Sequence, residues 1–418
     1  MGFLRSPLEF ILDTSITWAE FENQLRLSLG TEARLGSNKS VIDIGDGNGF
    51  TSRCGLITCD WVGAAVEERL PQKVVIKIPS ALPMRTLQDS LSPEQRQFDG
   101  DDEIWKEMEE SLKEAHNVEV ATYEYFKDFD RLSLPRLYHG IPFESKDQID
   151  GQICLEYVEN SRMMSLSERH NIEQVAQIAR AIGKMQACSL KKDVRAPDLC
   201  GGFFERFYTH RTKAYLGMLK GIFTVDNSST TRMLMAKIEN ILPDYYGTNL
   251  PLTIHKQMGF RPVLVNGDLR TENVLLDKDS EALASLIDWQ CTHFGVGIED
   301  LHRIALFALT AENRRMSMPM LVEEMYSSLV ENLYGVEPPY SLEKLHLISD
   351  LLFPHCALFF AAGCVSLITN KSFESSATNE VKTERMSTAV KGALEDILEL
   401  HYKNKIHSDL LEFKTPCK

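Results

Sequence analysis

The chain has 418 residues, and its 45 Lys+Arg against 60 Asp+Glu leave a formal charge of −15. That length calls for two or three domains or lobes and can bury a core without disulfide staples. With 43% apolar and 25% charged residues the composition is globular. The acidic balance argues against a general nucleic-acid binder, whose phosphate contacts need clustered Lys and Arg, and against docking on anionic lipid.

Thr17 and Glu20 form a capping-box pattern. Trp18, Phe21, Leu25 and Leu29 follow at helical spacing and Gly30 suits the stop, so an amphipathic helix opens the chain. Val41–Ile44, a glycine-rich run and Cys54–Thr58 read as strand, turn and strand, and Val74–Ile78 as a further strand. Residues 81–112 change character and read as an exposed acidic insert with a local helix around Ile104–Leu112. A helical pattern spans His116–Asp128, and Ile153–Val158 reads as a buried strand. Beyond it Ile172–Cys188, Gly202–Leu219 and Ser229–Leu242 are helical, and short strand-like runs interrupt Val263–Ile287. The expected division is a strand-rich part over 1–160 and a helical part over 161–418.

Leu351–Ile368 carries no formal charge and approaches the length of a membrane-spanning helix. Pro354, His355, Gly363 and the lack of basic flanks favour a buried core helix starting near Pro354, so no membrane span is expected. Nine cysteines with no C-x-x-C pair fit neither a zinc site nor a disulfide framework, and read as reduced thiols of a cytoplasmic protein. The first residues lack the uninterrupted apolar run of a secretory signal. Met1–Ser6 formally matches a myristoylation pattern, though chance alone meets so short a pattern easily.

Four features in one order carry chemistry. Gly45, Gly47 and Gly49 sit between two strands, where glycines let backbone N–H groups approach a phosphate. Alone such a run is more often a hairpin turn, and the spacing is not that of a dinucleotide-binding loop. Lys77 interrupts an apolar strand, and by itself reads as the exposed face of an edge strand. Glu119 lies on a helical pattern, and by itself reads as a solvated residue; a carboxylate there could hold Lys77 ready for phosphate oxygens. The strongest feature is Asp268-x-x-x-x-Asn273, an apolar run, then Asp288. Phosphoryl transfer needs an Asp to orient the attacking hydroxyl, and an Asn and an Asp to hold Mg²⁺ on the phosphates.

With these residues in place, the chain resembles the protein-kinase-like fold, an α+β bilobal architecture with a strand-rich N-lobe and a mostly helical C-lobe. Within it the chain resembles the choline-kinase-like and aminoglycoside-phosphotransferase-like small-molecule kinases, and most of all the CHK kinase-like (ecdysteroid-kinase-like) group with its nematode members. Ile44–Arg53, Cys154–Asn160, Val265–Leu276 and Ile287–Leu301 carry the likeness. The resemblance implies ATP and Mg²⁺ as cofactors and a small hydroxylated molecule as acceptor. It implies that Gly45, Gly47 and Gly49 cover the phosphates and that Lys77 and Glu119 form a lobe-bridging pair. Glu156, Tyr157 and Val158 would form the hinge at adenine. Asp268 would be the base, Asn273 and Asp288 the metal ligands, and Asp300 a structural or pocket-shaping carboxylate. The chain departs from the family at Asn266, where a supporting His is usual; a pseudokinase that binds without transferring phosphate is the competing reading. Asn-Gly before Asp268 and Trp-Gln after Asp288 depart from the H-R-D and D-F-G of a protein kinase, and only 11 residues separate Asp288 from Asp300, which leaves little room for an activation loop. Phe353, Phe359 and Phe360 are candidates to line an acceptor pocket or, more simply, to fill the core, and Trp289 and Trp105 are available for an aromatic cage.

Overall fold

The computed structural model describes residues 10–45, 51–82, 85–86, 102–129, 131–145, 151–165, 168, 170–191, 212–245, 250–369 and 377–411. The chain divides into two compact units, residues 1–130 with 134–160 and residues 131–133 with 161–418. The first is strand-rich and the second mostly helical, the α+β arrangement expected from the sequence.

In the first unit α1 (Trp18–Leu29) begins as its sequence dictates. Thr17 Oγ1 accepts from the Glu20 N–H at 3.2 Å, and Glu20 Oε2 accepts from the Thr17 N–H at 2.9 Å. Gly30 ends the helix at φ 66°. Strands β1 (Arg34–Leu35), β2 (Ser40–Asp43), β3 (Ser52–Thr58), β4 (Trp61–Val62) and β5 (Lys73–Pro79) follow. Then come α2 (Asp102–Phe126), β6 (Leu137–Ile141) and β7 (Gln152–Glu156). Five of these strands form one antiparallel sheet in the order β2-β3-β5-β7-β6, while β1 and β4 form a separate ribbon. Strand β5 is therefore central. Its alternation sends Val74, Ile76 and Ile78 into a core with Phe21 and Leu25 of α1, and leaves Lys77 on the opposite face.

Helix α2 corrects the sequence reading. The helical stretches expected around 104–112 and 116–128 are one helix, so the second half of the expected insert is regular structure, while residues 87–101 lie outside those described. The acidic composition of 102–114 hid its continuity, because its apolar stripe is sparse. Three hydrogen bonds pin α2 beside β6: His116 Nε2 with the Ile141 carbonyl at 2.8 Å, and the Asn117 amide both to and from the Phe143 backbone at 2.9 and 2.7 Å. Gly140 on β6 permits this approach, since a Cβ there would lie 2.8 Å from Val120 Cγ1.

The second unit holds β8 (Ser161–Met163), α3 (Ile172–Lys191), α4 (Thr212–Lys220), α5 (Ser229–Ile241) and α6 (Leu250–Gln257). They are followed by β9 (Val263–Val265), β10 (Val274–Asp277), β11 (Leu283–Leu286), β12 (His293–Gly295) and α7 (Ile298–Ala308). The long helices α8 (Ala311–Asn332), α9 (Leu342–Thr369) and α10 (Ala377–Asn404) complete it. The part of the expected helix 202–219 before Thr212 lies outside the described residues. Strand β10 pairs antiparallel with β8 and β11, and β9 pairs antiparallel with β12. Leu219, Ile238, Phe353, Phe360, Val365, Val390 and Leu394 meet in the main helical core.

Helix α9 runs straight through Pro354 instead of starting near it. Proline at that point removes the N–H that would serve the carbonyl four residues earlier. That carbonyl belongs to Asp350, and it accepts from Asn404 Nδ2 at 2.7 Å. The last turn of α10 thus repairs the ladder of α9, which a one-dimensional reading cannot foresee. Leu342–Val365 is long and apolar enough to cross a membrane, yet 83% of its most apolar window is buried inside the fold, as a core helix would be.

Removal of the Asn404 side chain should cost about 1 kcal/mol, because the half-buried Asp350 carbonyl loses its donor. The loss should shrink in a Pro354→Ala background, where an N–H returns at position 354. Urea unfolding of the four variants checks this; equal losses in both backgrounds would exclude the coupling.

Candidate functional site

Two constellations of sequence-predicted residues are brought together, one in each unit.

In the first unit, Lys77 Nζ donates to Glu119 Oε2 at 2.6 Å. Both side chains are largely buried, at 13% and 2% exposure. Taken alone, the two residues suggested an edge-strand lysine and a solvated glutamate; the structure overturns both, because β5 is central and α2 packs against the sheet. The pair also does not bridge the units, since both residues belong to the first. His116, one turn before Glu119 on α2, is held well below the usual histidine range, at about 4, by burial first and by the Lys77 charge in addition, against the pull of the Ile141 carbonyl. It therefore stays neutral beside the Lys77–Glu119 pair at neutral pH.

Gly45 ends the β2 side of the glycine-rich turn, its N–H donating to Asp43 Oδ1 at 2.9 Å, while Asp43 Oδ2 pairs with Arg53 at 3.1 Å. Gly47 and Gly49 lie outside the described residues. Glu156 closes β7, its N–H donating to the Arg136 carbonyl at 2.8 Å and its Oε2 accepting from the Arg136 N–H at 3.1 Å. Tyr157 follows with its ring 5.5 Å from Lys73 Nζ, and Val158 is half-buried beyond it.

In the second unit, the loop after β9 is fastened from several sides. The Asp300 carboxylate, near the start of α7, accepts the Asn266 N–H at 2.8 Å on one oxygen and the Gly267 N–H at 2.9 Å on the other. Asn266 Nδ2 donates to the Asp288 carbonyl at 3.0 Å, and Asn266 Oδ1 accepts the Asp268 N–H at 3.0 Å. Asn273 Nδ2 donates to the Asp268 carbonyl at 2.8 Å. Gly267 adopts φ 82°, and a Cβ there would overlap the Cys291 carbonyl, so only glycine fits the turn before Asp268.

The hairpin of β10 and β11 brings the two oxygen donors near each other. Val274 pairs with Leu286, and the Ile287 N–H reaches the Asn273 carbonyl at 3.0 Å, so Ile287 lies opposite Asn273 and Asp288 follows one residue on. Asp288 itself takes φ 62°, a left-handed conformation that an Asp tolerates and that recurs at functional sites. Because the Asn273 amide nitrogen is engaged with the Asp268 carbonyl, its oxygen is the side-chain atom that could meet a cation. An Asn oxygen with a carboxylate suits Mg²⁺, which keeps waters and shares phosphate oxygens. Among the described residues there is no cluster of three or more His, Cys, Asp or Glu that could hold a metal, so a closed site of the zinc type is not formed there.

Burial pushes the Asp268 carboxyl above the ordinary carboxylate range, and Arg270 and Arg303 pull it back. Arg270 Nε lies 3.8 Å from Asp268 Oδ2. Burial also raises Asp300, to about 6, against its two backbone N–H donors. Arg303 is buried on α7 with its guanidinium 4.1 Å from the Phe359 ring centroid. Phe353 and Phe360 are core residues that stack edge-on with His302 and Phe307, so the core-filling reading of these aromatics holds over the pocket-lining one. Trp289 is buried, with its indole N–H on the Leu286 carbonyl, and Trp105 lies in the other unit, where Arg85 stacks over it.

Sequence reasoning missed Arg270, His293, Glu299 and Arg303. Arg270 stands inside the Asp268–Asn273 motif and could have been weighed; the others come together only through the β9–β12 pairing and the turn into α7.

The model of a protein family described as "DUF1679: Uncharacterized oxidoreductase dhs-27" matches residues 6–405. The chain belongs to the DUF1679 family. No curated protein matches it. Among solved structures, choline kinase from Cryptosporidium parvum Iowa II is similar at 10% identity, with 89% of this chain and 91% of that one covered and a TM-score of 0.45. A candidate aminoglycoside phosphotransferase of Ralstonia eutropha JMP134 is similar at 12% identity, 90% and 98% coverage and a TM-score of 0.46. The GDP complex of wild-type aminoglycoside 2′-phosphotransferase-IIIa is similar at 11% identity, 92% and 99% coverage and a TM-score of 0.43.

Asp300 gives stability a pH dependence. Its folded value of about 6 lies above the ordinary 3.8, so between those values the folded chain keeps a proton that the unfolded chain has released. This contribution is fully present below 3.8 and is lost as pH rises through about 6. Asp300→Asn should flatten that slope in urea midpoints taken across the window. It should also lower stability throughout by about 1–3 kcal/mol, because one oxygen cannot serve both backbone donors equally.

Proposed function

We propose that this chain is an ATP- and Mg²⁺-dependent small-molecule kinase of the CHK kinase-like group, transferring the terminal phosphate of ATP to a hydroxyl of a metabolite or xenobiotic. The observation that carries this reading is Asn266. Its amide donates to the Asp288 carbonyl and accepts the Asp268 N–H, so one side chain ties the base residue to the metal-ligand residue. Asn266 stands where the family's supporting His is usual, and the two bonds give it a supporting role of its own. That weighs against the pseudokinase reading, whose main ground was this substitution.

Asp268 accepts the proton of the acceptor hydroxyl as that oxygen bonds to phosphorus and the bond to the departing ADP oxygen breaks. Lys77, held by Glu119, neutralises phosphate oxygens, and the glycine-rich run of Gly45, Gly47 and Gly49 would cover them. Glu156, Tyr157 and Val158 present the backbone that meets adenine. Asn273 and Asp288 would hold Mg²⁺, which when bound would offset charge on the phosphates. A reduced, cytoplasmic setting suits the seven described cysteines, all thiols rather than disulfides.

Two other readings fit less well. A choline or ethanolamine kinase would bind its cationic acceptor with exposed aromatic faces, and Trp289 is 2% exposed. An oxidoreductase of the doubly wound dinucleotide-binding kind needs parallel strands joined by crossover helices. Every strand pairing among the described residues is antiparallel.

The test is ATP consumption over a library of hydroxylated metabolites and xenobiotics. Asp268→Ala should abolish turnover and leave nucleotide binding intact, and turnover retained in that variant would refute its role as base. Asp288→Ala should remove the Mg²⁺ dependence of nucleotide affinity. The pH profile supplies an independent check. A base must be ionised, so kcat/KM should fall on the acid side with a midpoint above the ordinary carboxylate range, in line with the raised Asp268 value of the free chain. Arg270→Ala removes a charge that lowers that value and should move the acid limb to higher pH; a limb unmoved or moved downward contradicts the assignment.

A further inference from the structure

Behind the Asp268 loop lies a buried histidine that the reaction as described does not use. His293 begins β12 and pairs in register with Val265, the last residue of β9 before the loop. Its side chain is 3% exposed and that of Glu299 fully buried. Nε2 faces Glu299 Oε1 at 3.5 Å, and Nδ1 faces the Cys291 carbonyl at 3.1 Å. A carbonyl oxygen only accepts, and so does an ionised carboxylate. A ring between two such acceptors meets both only as an imidazolium, with a proton on each nitrogen. The ring edge also lies directly under the turn: a Cβ on Gly267 would sit 3.0 Å from Nδ1 and 3.1 Å from Cε1.

We propose that His293, held as an imidazolium against Glu299, is a positioning residue that supports the Gly267 turn from below and so sets where Asp268 stands. The proposal rests on the kinase reading for its activity readout and on nothing beyond this unit for its geometry. Two fasteners then act on the same turn. Asp300 holds its N–H groups from one side, and the His293 ring fills the space beneath it from another. Glu299 and Asp300 are neighbours on α7, so one helix start carries both anchors.

The charges around the ring agree. On α7 it faces Glu299 and Asp300, with Arg303 one turn further on. Helix α6, which packs against β12, carries Lys256 and His255, the latter lowered by burial. On α9 the Cys356 thiol, near Glu299 and Asp300, is raised by burial and stays neutral. Burial pulls His293 down, but Glu299, the Cys291 carbonyl and Asp300 outweigh it, and the ring titrates above the ordinary histidine range. Raising the pH through that value discharges the ring and removes the charge it sets against Glu299.

The experiment uses the full chain and the variants His293→Gln and Glu299→Gln. Histidine ring carbons are followed by NMR through a pH titration, with His293→Gln identifying the resonance. Amide hydrogen exchange is read at Gly267 and at α3 and α8, and MgATP turnover is measured with whichever acceptor the library screen yields. The ring should remain protonated at neutral pH and lose that protonation in Glu299→Gln. Gly267 exchange should quicken by about tenfold in both variants while α3 and α8 stay as they were, since the effect is local. Turnover should fall by about tenfold or more with KM for MgATP unchanged, because the base is displaced and the nucleotide is not. The wild-type alkaline limb should be absent from His293→Gln. A ring neutral at neutral pH, or Gly267 exchange unchanged in both variants, overturns the proposal. Exchange that quickens equally everywhere also overturns it, reducing His293 to a packing residue. A chain that phosphorylates nothing would sink the kinase reading alone, since ring protonation and Gly267 exchange still decide the positioning role.

Discussion

One buried carboxylate organises the second unit's chemistry. Asp300 takes the backbone N–H groups of Asn266 and Gly267, two successive donors, with its two oxygens. A loop in a positive-φ turn leaves its N–H groups pointing inward, where water does not reach, and an unmatched buried donor is costly. Supplying an anion rather than a neutral acceptor fixes the turn strongly, at the expense of desolvating the charge, and the raised Asp300 value records that expense. From this point the rest follows in short links. The Asn266 side chain reaches Asp268 and Asp288, and Asn273 reaches back to the Asp268 carbonyl.

The first unit solves a simpler problem by the same means. A lysine must be kept extended and charged within a sheet, and Glu119 does this from a helix whose distance is set by a missing side chain at Gly140. Backbone carbonyls at Ile141 and Phe143 hold that helix at its middle, not at its ends. In the second unit the carboxylate is itself bound to backbone, and in the first it stands on a helix that neighbouring side chains bind to backbone.

Much of this was legible in the sequence. The capping box at Thr17 and Glu20, the alternation of Val74–Ile78 and the spacing of Asp268, Asn273 and Asp288 each rest on local rules, and each has a local signature. The Lys77–Glu119 pair was legible only as a match to a reaction's needs, since neither residue alone points to burial. What stayed hidden depends on contacts distant in sequence. Nothing near Pro354 announces that Asn404 will serve its orphaned carbonyl, and the proline reads as a helix start for good local reasons. His293 and Glu299 meet through a three-residue strand pairing too short to leave a periodic signal. Phe359 and Phe360 could be told from pocket residues only once Arg303 and Phe307 were placed against them.

The repair of α9 by Asn404 bears on how the chain reaches its fold. The most apolar helix carries a break in its ladder that is closed from the last turn of α10, so the Asp350 carbonyl meets its donor only 54 residues later in the chain. During synthesis α9 leaves the ribosome before its mending residue does. For that interval a long greasy helix with an open carbonyl is the part of the nascent chain with most to gain from a chaperone, and a product cut short before Asn404 would keep that need for good.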